Sequence, residues 1–237
     1  MTNDYNDTVA KHYAAFRPAL HEVILRRLTR PNERFRLGLD VGCGTGYSAV
    51  ALAEYCDRVF GIDPNQQMLD KATAHPKVSY VNGCGGNMSV IGIDRFDVVS
   101  FAGSLCYTKT IQMKSELLKT LSPDGVVLVY DFQVLIDDLT ANLGVFCCSA
   151  ASDYNFAENL CDWPEFTSEV VGTDRVLLQI SEQEAAHILM ANSDRYRLFQ
   201  QLFADTDPFG GLIDYLQRQG GKLQLYADFY FARHFLT

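Results

Sequence analysis

Residues Leu39 to Val50 read LDVGCGTGYSAV, with glycines at 42, 44 and 46 between an apolar run and an alanine-rich one. LGLDV (37–41) has the texture of a buried strand, and YSAVALAEY (47–55) that of a helix packed on a sheet. A glycine turn joining a first strand to a first helix lets a small molecule approach the backbone. In open α/β sheets such ligands lie beyond the carboxyl ends of the strands.

Working outward, RVFGI (58–62), KVSYV (77–81), FDVVSF (96–101) and GVVLVYDF (125–132) read as four more strands. NQQMLDKA (65–72) and IQMKSELLKTL (111–121) read as helices, the second stopped by SPDG. Strands apolar on both faces that alternate with helices belong to a parallel sheet covered on both sides. Upstream, Val9 to Leu28 is helical in pattern, interrupted at Arg17-Pro18 because proline disfavours helix in the residue before it. Downstream, residues 133–165 are irregular, SEVVGTDRVLLQI (168–180) reads as a strand, and a helical stretch runs from about Glu182 to Phe203. KLQLYADFYF (222–231) alternates as a late antiparallel strand does. The expected fold is α/β: a doubly wound, seven-stranded, mostly parallel sheet with a late antiparallel strand and a helical or irregular cap. One domain over 1–237 is expected: N-terminal helices in 1–34, a ligand-binding core in 35–132, a cap and substrate region in 133–221, and a terminal strand in 222–237.

The residues around the turn restrict its ligand. The dinucleotide pattern G-x-G-x-x-G requires glycine where this chain has Tyr47, and no Gly-Lys-Ser/Thr follows to make a Walker loop. Asp40, two residues before Gly42, would repel a pyrophosphate in the same turn: like unit charges at 4 Å repel by about 4 kcal/mol at an effective dielectric of 20. It would attract a cation instead. Asp63, at the end of the second strand and 21 residues after Gly42, is placed to accept from both hydroxyls of a ribose. Alternatively it caps a helix that begins at Pro64. The pair suits a nucleoside with positive charge and no phosphate.

At this point the chain resembles the class I S-adenosylmethionine-dependent methyltransferases, specifically those acting on small molecules. The matching segments are LDVGCGTG (39–46), VFGIDPNQQML (59–69), YVNGCGGNM (80–88), FDVVSFAGSL (96–105) and LSPDGVVLVYDF (121–132), in the family's order. The resemblance implies that Gly42, Cys43, Gly44, Thr45 and Gly46 lie against the methionine part of S-adenosylmethionine, with Asp40 near its ammonium. It implies that Asp63 holds the ribose, that Pro64 and Met68 flank the adenine, and that Gly83, Cys84 and Gly85 meet the adenine edge. Ala102 and Ser104 would lie under the methionine, near the methyl. Tyr13 and Arg17, in a Y-x-x-x-R-P stretch similar to cofactor-covering N-terminal helices, would complete the site, with Arg17 paired to the carboxylate. Cys84 stands where many members have Asp, which leaves the adenine contact to backbone N–H groups. The family pattern assigns no obligatory catalytic residue; Ser104, Tyr107 and Asp131 are candidates to position the acceptor. Tyr154, Phe156, Trp163 and Phe166 line a lid or form the core of a cap.

Composition sets the remaining limits. A formal net charge of −9 opposes a role in gripping nucleic acid, whose phosphates require clustered Lys and Arg. Seven cysteines without C-x-x-C spacing indicate neither a disulfide framework nor a zinc site, and reduced thiols point to the cytoplasm. The pair Cys147-Cys148 invites a thiophilic reading, but free cysteines are more often small buried hydrophobes. The five histidines show no metal spacing, and Asp137-Asp138, a pair that could bind a divalent metal, reads rather as an exposed acidic helix start. No window is apolar enough to span a bilayer. The expectation is therefore a methyltransferase with a small-molecule acceptor and neither nucleic-acid nor membrane partners. A non-enzymatic cofactor-binding regulator and a nicotinamide-dependent oxidoreductase are the alternatives.

Overall fold

A computed structural model describes residues 20–143, 154–203, 207–220 and 222–237, together with Val9 and His12. Helix α1 (Leu20–Leu28) buries Leu20, Ile24, Leu25 and Leu28, the spacing of one helical face. Strand β1 (Phe35–Val41), helix α2 (Tyr47–Leu52) and strand β2 (Cys56–Asp63) follow. Helix α3 is a single turn, Gln66–Leu69; strand β3 is Val78–Asn82, and a 3-10 segment covers Gly85–Ile91. Strand β4 (Phe96–Ala102), the short helix α4 (Leu105–Thr108), helix α5 (Ile111–Thr120) and strand β5 (Leu121–Leu135) complete the parallel part. After α6 (Asp137–Asn142) come β6 (Phe166–Ile180), α7 (Glu182–Met190), α8 (Ser193–Leu202), α9 (Pro208–Gln219) and β7 (Leu223–Leu236).

The seven strands lie in the order β3-β2-β1-β4-β5-β7-β6. The pairs from β3 to β5 are parallel, and the β5-β7-β6 end is antiparallel, as the alternation of residues 222–231 anticipated. The order reverses direction between β1 and β4, where Asp40 lies opposite Ser100. That reversal opens the crevice in which doubly wound sheets hold their ligands.

Several boundaries differ from the sequence reading. SPDG does not separate α5 from its strand: Leu121 already pairs with Phe96, and the register shifts between Phe96 and Val98 as residues 122–125 bulge out of β5. The helical stretch after Glu182 is two helices, broken where Asn192 caps α8 through bonds from the N–H groups of Asp194 and Arg195. Asn65, not Asp63, caps α3, accepting from the N–H groups of Gln67 and Met68. The carboxylate of Asp63 is thereby left to the glycine turn.

The described chain divides into two compact units. The larger comprises 19–133, 154–174 and 229–237. Its core is built of Leu39, Val41, Phe60, Ile62, Val99, Phe101, Met113, Leu117 and Val127, and Phe166 belongs to the same cluster, with Trp163 packed against it. Those two aromatics are therefore core, not lid. Buried Arg233 ties this unit together: its guanidinium donates to both carboxylate oxygens of Glu33 at 2.6 and 2.8 Å, to Glu169 at 2.8 Å and to the carbonyl of Leu28 at 2.9 Å. Of the described residues, the smaller unit comprises Val9, His12, 134–143, 175–203, 207–220 and 222–228. Its core gathers Leu139, Ala185, Ala186, Leu189, Met190, Phe199, Leu212, Leu216 and Leu225.

Candidate cofactor site

The glycine turn is a left-handed loop held from below. Gly42, Gly44 and Gly46 have φ of 74°, 52° and 85°, a region that strongly favours glycine. The N–H groups of Gly42 and Cys43 both donate to the carbonyl of Ile62 on β2, at 2.8 and 3.2 Å, and Gly46 donates to the carbonyl of Cys43. The turn thus carries the chain from β1 to α2 across the end of β2.

Its three glycines face different surroundings. A Cβ on Gly42 would lie 2.5 Å from that of Ser104, and one on Gly46 only 2.1 Å from the hydroxyl oxygen of Tyr80. A Cβ on Gly44 would meet nothing within 4 Å among the described residues. Two positions are closed by packing and the middle one is open, so Gly44 is where a ligand can touch backbone. Tyr80 is a buttress that the sequence reading did not single out: its hydroxyl donates to the carbonyl of Thr73 at 2.7 Å, and the N–H of Thr73 donates to that of Thr45.

Asp63 latches the turn to β2. One oxygen accepts the N–H of Gly44 at 2.9 Å and the other that of Asn65 at 2.8 Å. Asn82 at the end of β3 donates to the carbonyls of Asp63 and Pro64. Beyond it Gly83 donates to the carbonyl of Asp63, Cys84 is exposed, and Gly85 is buried at the start of the 3-10 segment. Pro64 is exposed and Met68 half-buried.

Asp40 is fully buried beneath the turn and accepts from the hydroxyls of Ser48 on α2, at 2.5 Å, and Ser100 on β4, at 2.7 Å. Burial lifts its pKa to about 6; the two serines oppose that rise, and the charge of Asp63 adds to it. A carboxylate so placed lacks a compensating positive charge among the partners described. The same burial, with Asp40 and Asp63 nearby, drives the Cys43 thiol well above its ordinary range, so it stays neutral and unreactive. Ser48 and Ser100 were legible only as lone hydroxyls inside apolar runs, YSAVALA and FDVVSF.

At the ends of β4 and β5 the backbone N–H of Gly103 donates to the carbonyl of Tyr130, and the hydroxyl of Ser104 to that of Val41. Ala102 is half-buried. The Tyr154 hydroxyl is placed to donate to the carboxylate of Asp131 and lies 3.1 Å from the carbonyl oxygen of Gly103. Burial, and then that bond, raise the Tyr154 pKa so that it keeps its proton. Asp40, Gly42, Cys43, Gly44, Thr45, Gly46, Asp63, Gly83, Gly85, Ala102 and Ser104 all lie at or just beyond the carboxyl ends of β1 to β4, within the larger unit. Tyr13, Arg17, Cys147 and Cys148 lie outside the described residues. Among the described residues no group of three His, Cys, Asp or Glu is arranged to hold a metal ion, and no helix is long and apolar enough to cross a membrane. A separate open groove of about 700 Å³ is lined by Lys109, Ile111, Lys114, Leu118 and Trp163. Both of its lysines are committed to ion pairs, with Glu158, Asp162 and Glu165.

The same segment that builds this site, residues 39–125, matches the methyltransferase domain family. That segment is accordingly of the class I S-adenosylmethionine-dependent methyltransferase type, a class that takes S-adenosylmethionine as methyl donor. Among its relatives is the "Probable S-adenosylmethionine-dependent methyltransferase CRG1" of Saccharomyces cerevisiae, 26% identical over 122 residues, 48% of this chain and 42% of that protein. Another, a "Putative methyltransferase" of Dictyostelium discoideum, is 29% identical over 79 residues, 33% of this chain and 30% of that protein. The chain thus matches less than half the length of either relative. Among solved structures, a "Putative Type II Methyltransferase" from Anaeromyxobacter dehalogenans superposes with a TM-score of 0.63 at 18% identity, over 93% of this chain and 98% of that one. The YcgJ protein of Bacillus subtilis gives 0.53 at 15% identity, over 90% and 96%. At those identities the likeness concerns the fold.

Proposed function

We propose that the protein transfers a methyl group from S-adenosylmethionine to a small-molecule acceptor. The observation that carries this reading is the open face of Gly44, held against the Asp63 carboxylate between two glycines closed by packing. The donor set suits a cationic nucleoside. Asp63 has lone pairs left for ribose hydroxyls beyond the two N–H groups it accepts. Asp40 supplies a buried negative field beneath the turn that a nearby ammonium would relieve. Thr45 and Cys43 complete the turn, Pro64 and Met68 flank the adenine, and the backbone from Gly83 through Cys84 to Gly85 meets its edge. Ala102 and Ser104 form the floor at the end of β4.

When bound, the cofactor supplies an electrophilic methyl on a sulfonium, so the protein's task is to position the acceptor and exclude water. The acceptor's lone pair forms the new bond while the electrons of the carbon–sulfur bond stay on sulfur, and a protonated acceptor loses its proton. The net charge of −9 favours a small acceptor over nucleic acid. Calorimetric titration with S-adenosylhomocysteine tests the reading. Micromolar binding is expected, with loss of that binding in Asp63→Ala; equal binding by the variant would overturn the nucleoside assignment. A screen of small acceptors with methyl-labelled cofactor then separates an enzyme from a silent cofactor binder.

A further inference from the structure

The antiparallel end of the sheet and the loop at 157–159 together line a pocket of about 190 Å³. Val129 of β5, Val171 and Thr173 of β6, Tyr230 and Phe231 of β7 and Ala157 of the loop supply most of its walls. All of them belong to the larger unit, and none is a residue of the glycine turn. The loop is held in place by its own asparagines and by one lysine. Asn155 accepts the N–H of Ala157 on its side-chain oxygen at 3.1 Å and that of Glu158 on its carbonyl at 3.2 Å. Asn159 repeats the motif, its side-chain oxygen accepting the N–H of Cys161 at 2.9 Å. Lys109, at the end of α4, donates to the carboxylate of Glu158 at 2.5 Å and to the carbonyl of Asn159 at 2.7 Å. Phe156 stacks on Tyr230 with ring centroids 6.2 Å apart. Walls fixed in this way stand before a ligand arrives, as those of small-molecule sites generally do.

Size and charge restrict what the pocket can take. A cavity of about 150 Å³ accommodates benzene, so this one fits a single aromatic ring with a small substituent. Of the lining residues only Glu158 is charged, and its carboxylate is already paired with Lys109 and accepts from Asn155 at 3.0 Å. A charged ligand would leave water for a pocket that has no free opposite charge to meet it, a cost that a neutral ring does not carry. Two lining hydroxyls are uncommitted: those of Tyr230 and Thr173 have no hydrogen-bond partner among the described residues. Each can both donate and accept.

We propose that this pocket is a second small-molecule site, separate from the glycine turn, and that it takes an uncharged phenol of one ring. The ring lies against Val129, Tyr230 and Phe231, and the ligand hydroxyl is bonded to those of Tyr230 and Thr173. The site stands on its own geometry, whatever the turn binds. Ring burial supplies the affinity, and the hydroxyls and the absence of a free charge supply the selection.

The test uses the full chain with ¹³C-labelled alanine and valine methyl groups, and four probes added separately: phenol, toluene, benzoate and trimethylanilinium. Phenol and toluene should move the methyl signals of Val129, Ala157 and Val171 saturably, at roughly millimolar concentration as ligands of this size permit, and the two ions should not. The double variant Tyr230→Phe, Thr173→Val removes only the two hydroxyls. It should bind phenol about fivefold more weakly or worse, the worth of one net hydrogen bond, and toluene as before. Absence of a saturable response to phenol would overturn the proposal, as would benzoate or trimethylanilinium matching phenol at these methyl groups. So would a double variant that keeps the wild-type affinity for phenol, or one that loses phenol and toluene equally.

Discussion

The carboxylate of Asp63 accepts the backbone N–H of Gly44 at 2.9 Å, so the end of β2 is fastened to the middle of the turn that follows β1. One side chain therefore shapes the turn and, in the proposed site, would also face the ligand. Asp63→Asn keeps an oxygen for Gly44 but loses the charge, whereas Asp63→Ala loses both. S-adenosylhomocysteine binding should weaken by about tenfold in the first and a hundredfold or more in the second, as loss of one and then two charge-assisted bonds of roughly 1.5–3 kcal/mol requires. Isothermal titration of the two variants beside wild type measures the gradient; a flat series would place the ribose elsewhere.

The turn's glycines should separate stability from binding. Gly46→Ala puts a Cβ against Tyr80 at a φ of 85° and should lower stability by roughly 2 kcal/mol or more. Gly44→Ala has open space around it and should cost about 1–2 kcal/mol from its left-handed φ alone. It should nonetheless abolish micromolar S-adenosylhomocysteine binding, because the methyl occupies the open face. Denaturant unfolding and calorimetry on the same two variants read both quantities. A Gly44→Ala protein that binds normally would remove the turn from the site.

Asp40 makes binding and stability depend on pH in opposite senses. Its folded pKa, about 6, lies above the ordinary 3.8, so the folded state favours the proton. Its contribution to stability is complete below about pH 4 and is lost as pH rises through 6, by roughly 3 kcal/mol at most. An ammonium above the turn reverses the preference, so S-adenosylhomocysteine should bind more tightly as pH rises from 5 to 7. In Asp40→Asn both slopes should flatten. Unfolding free energies and binding constants across that range test the linkage, and unchanged slopes in the variant would assign them to other groups.

The parts of this molecule that periodicity controls were legible in the sequence. LGLDV, RVFGI, KVSYV and FDVVSF appear as β1 to β4 within a few residues of their expected ends, because buried parallel strands are written in consecutive apolar residues. The SPDG bulge was not legible: whether such a turn ends a strand or swells within it depends on Leu121 finding Phe96 across the sheet, which is tertiary information. The same holds at the site. Gly42, Gly44, Gly46 and Asp63 follow from local spacing, while Tyr80 beneath Gly46 and Tyr154 against Asp131 join residues 34 and 23 positions apart, beyond any local pattern.

In the smaller unit, His12 and His187 face each other with their Nδ1 atoms 3.0 Å apart, and both rings lie within 5 Å of Phe209. That distance accommodates one proton between the rings and not two. Burial, then the charge of His187, lower the His12 pKa against a raising contribution from Asp207; burial lowers that of His187. Both folded values lie below 6.5, so the stability they confer is complete above about pH 6.5 and is lost as pH falls through the lowered values. Acidification from pH 7 to 5 should therefore destabilise the wild type and lower the amide protection factors of α7 and α9. His187→Phe preserves ring packing against Phe209 but removes one of the two charges, so it should reduce both effects. Protection factors at the two pH values decide the matter: if α7 opens as readily in His187→Phe as in wild type at pH 5, the pair is not the source of the acid sensitivity.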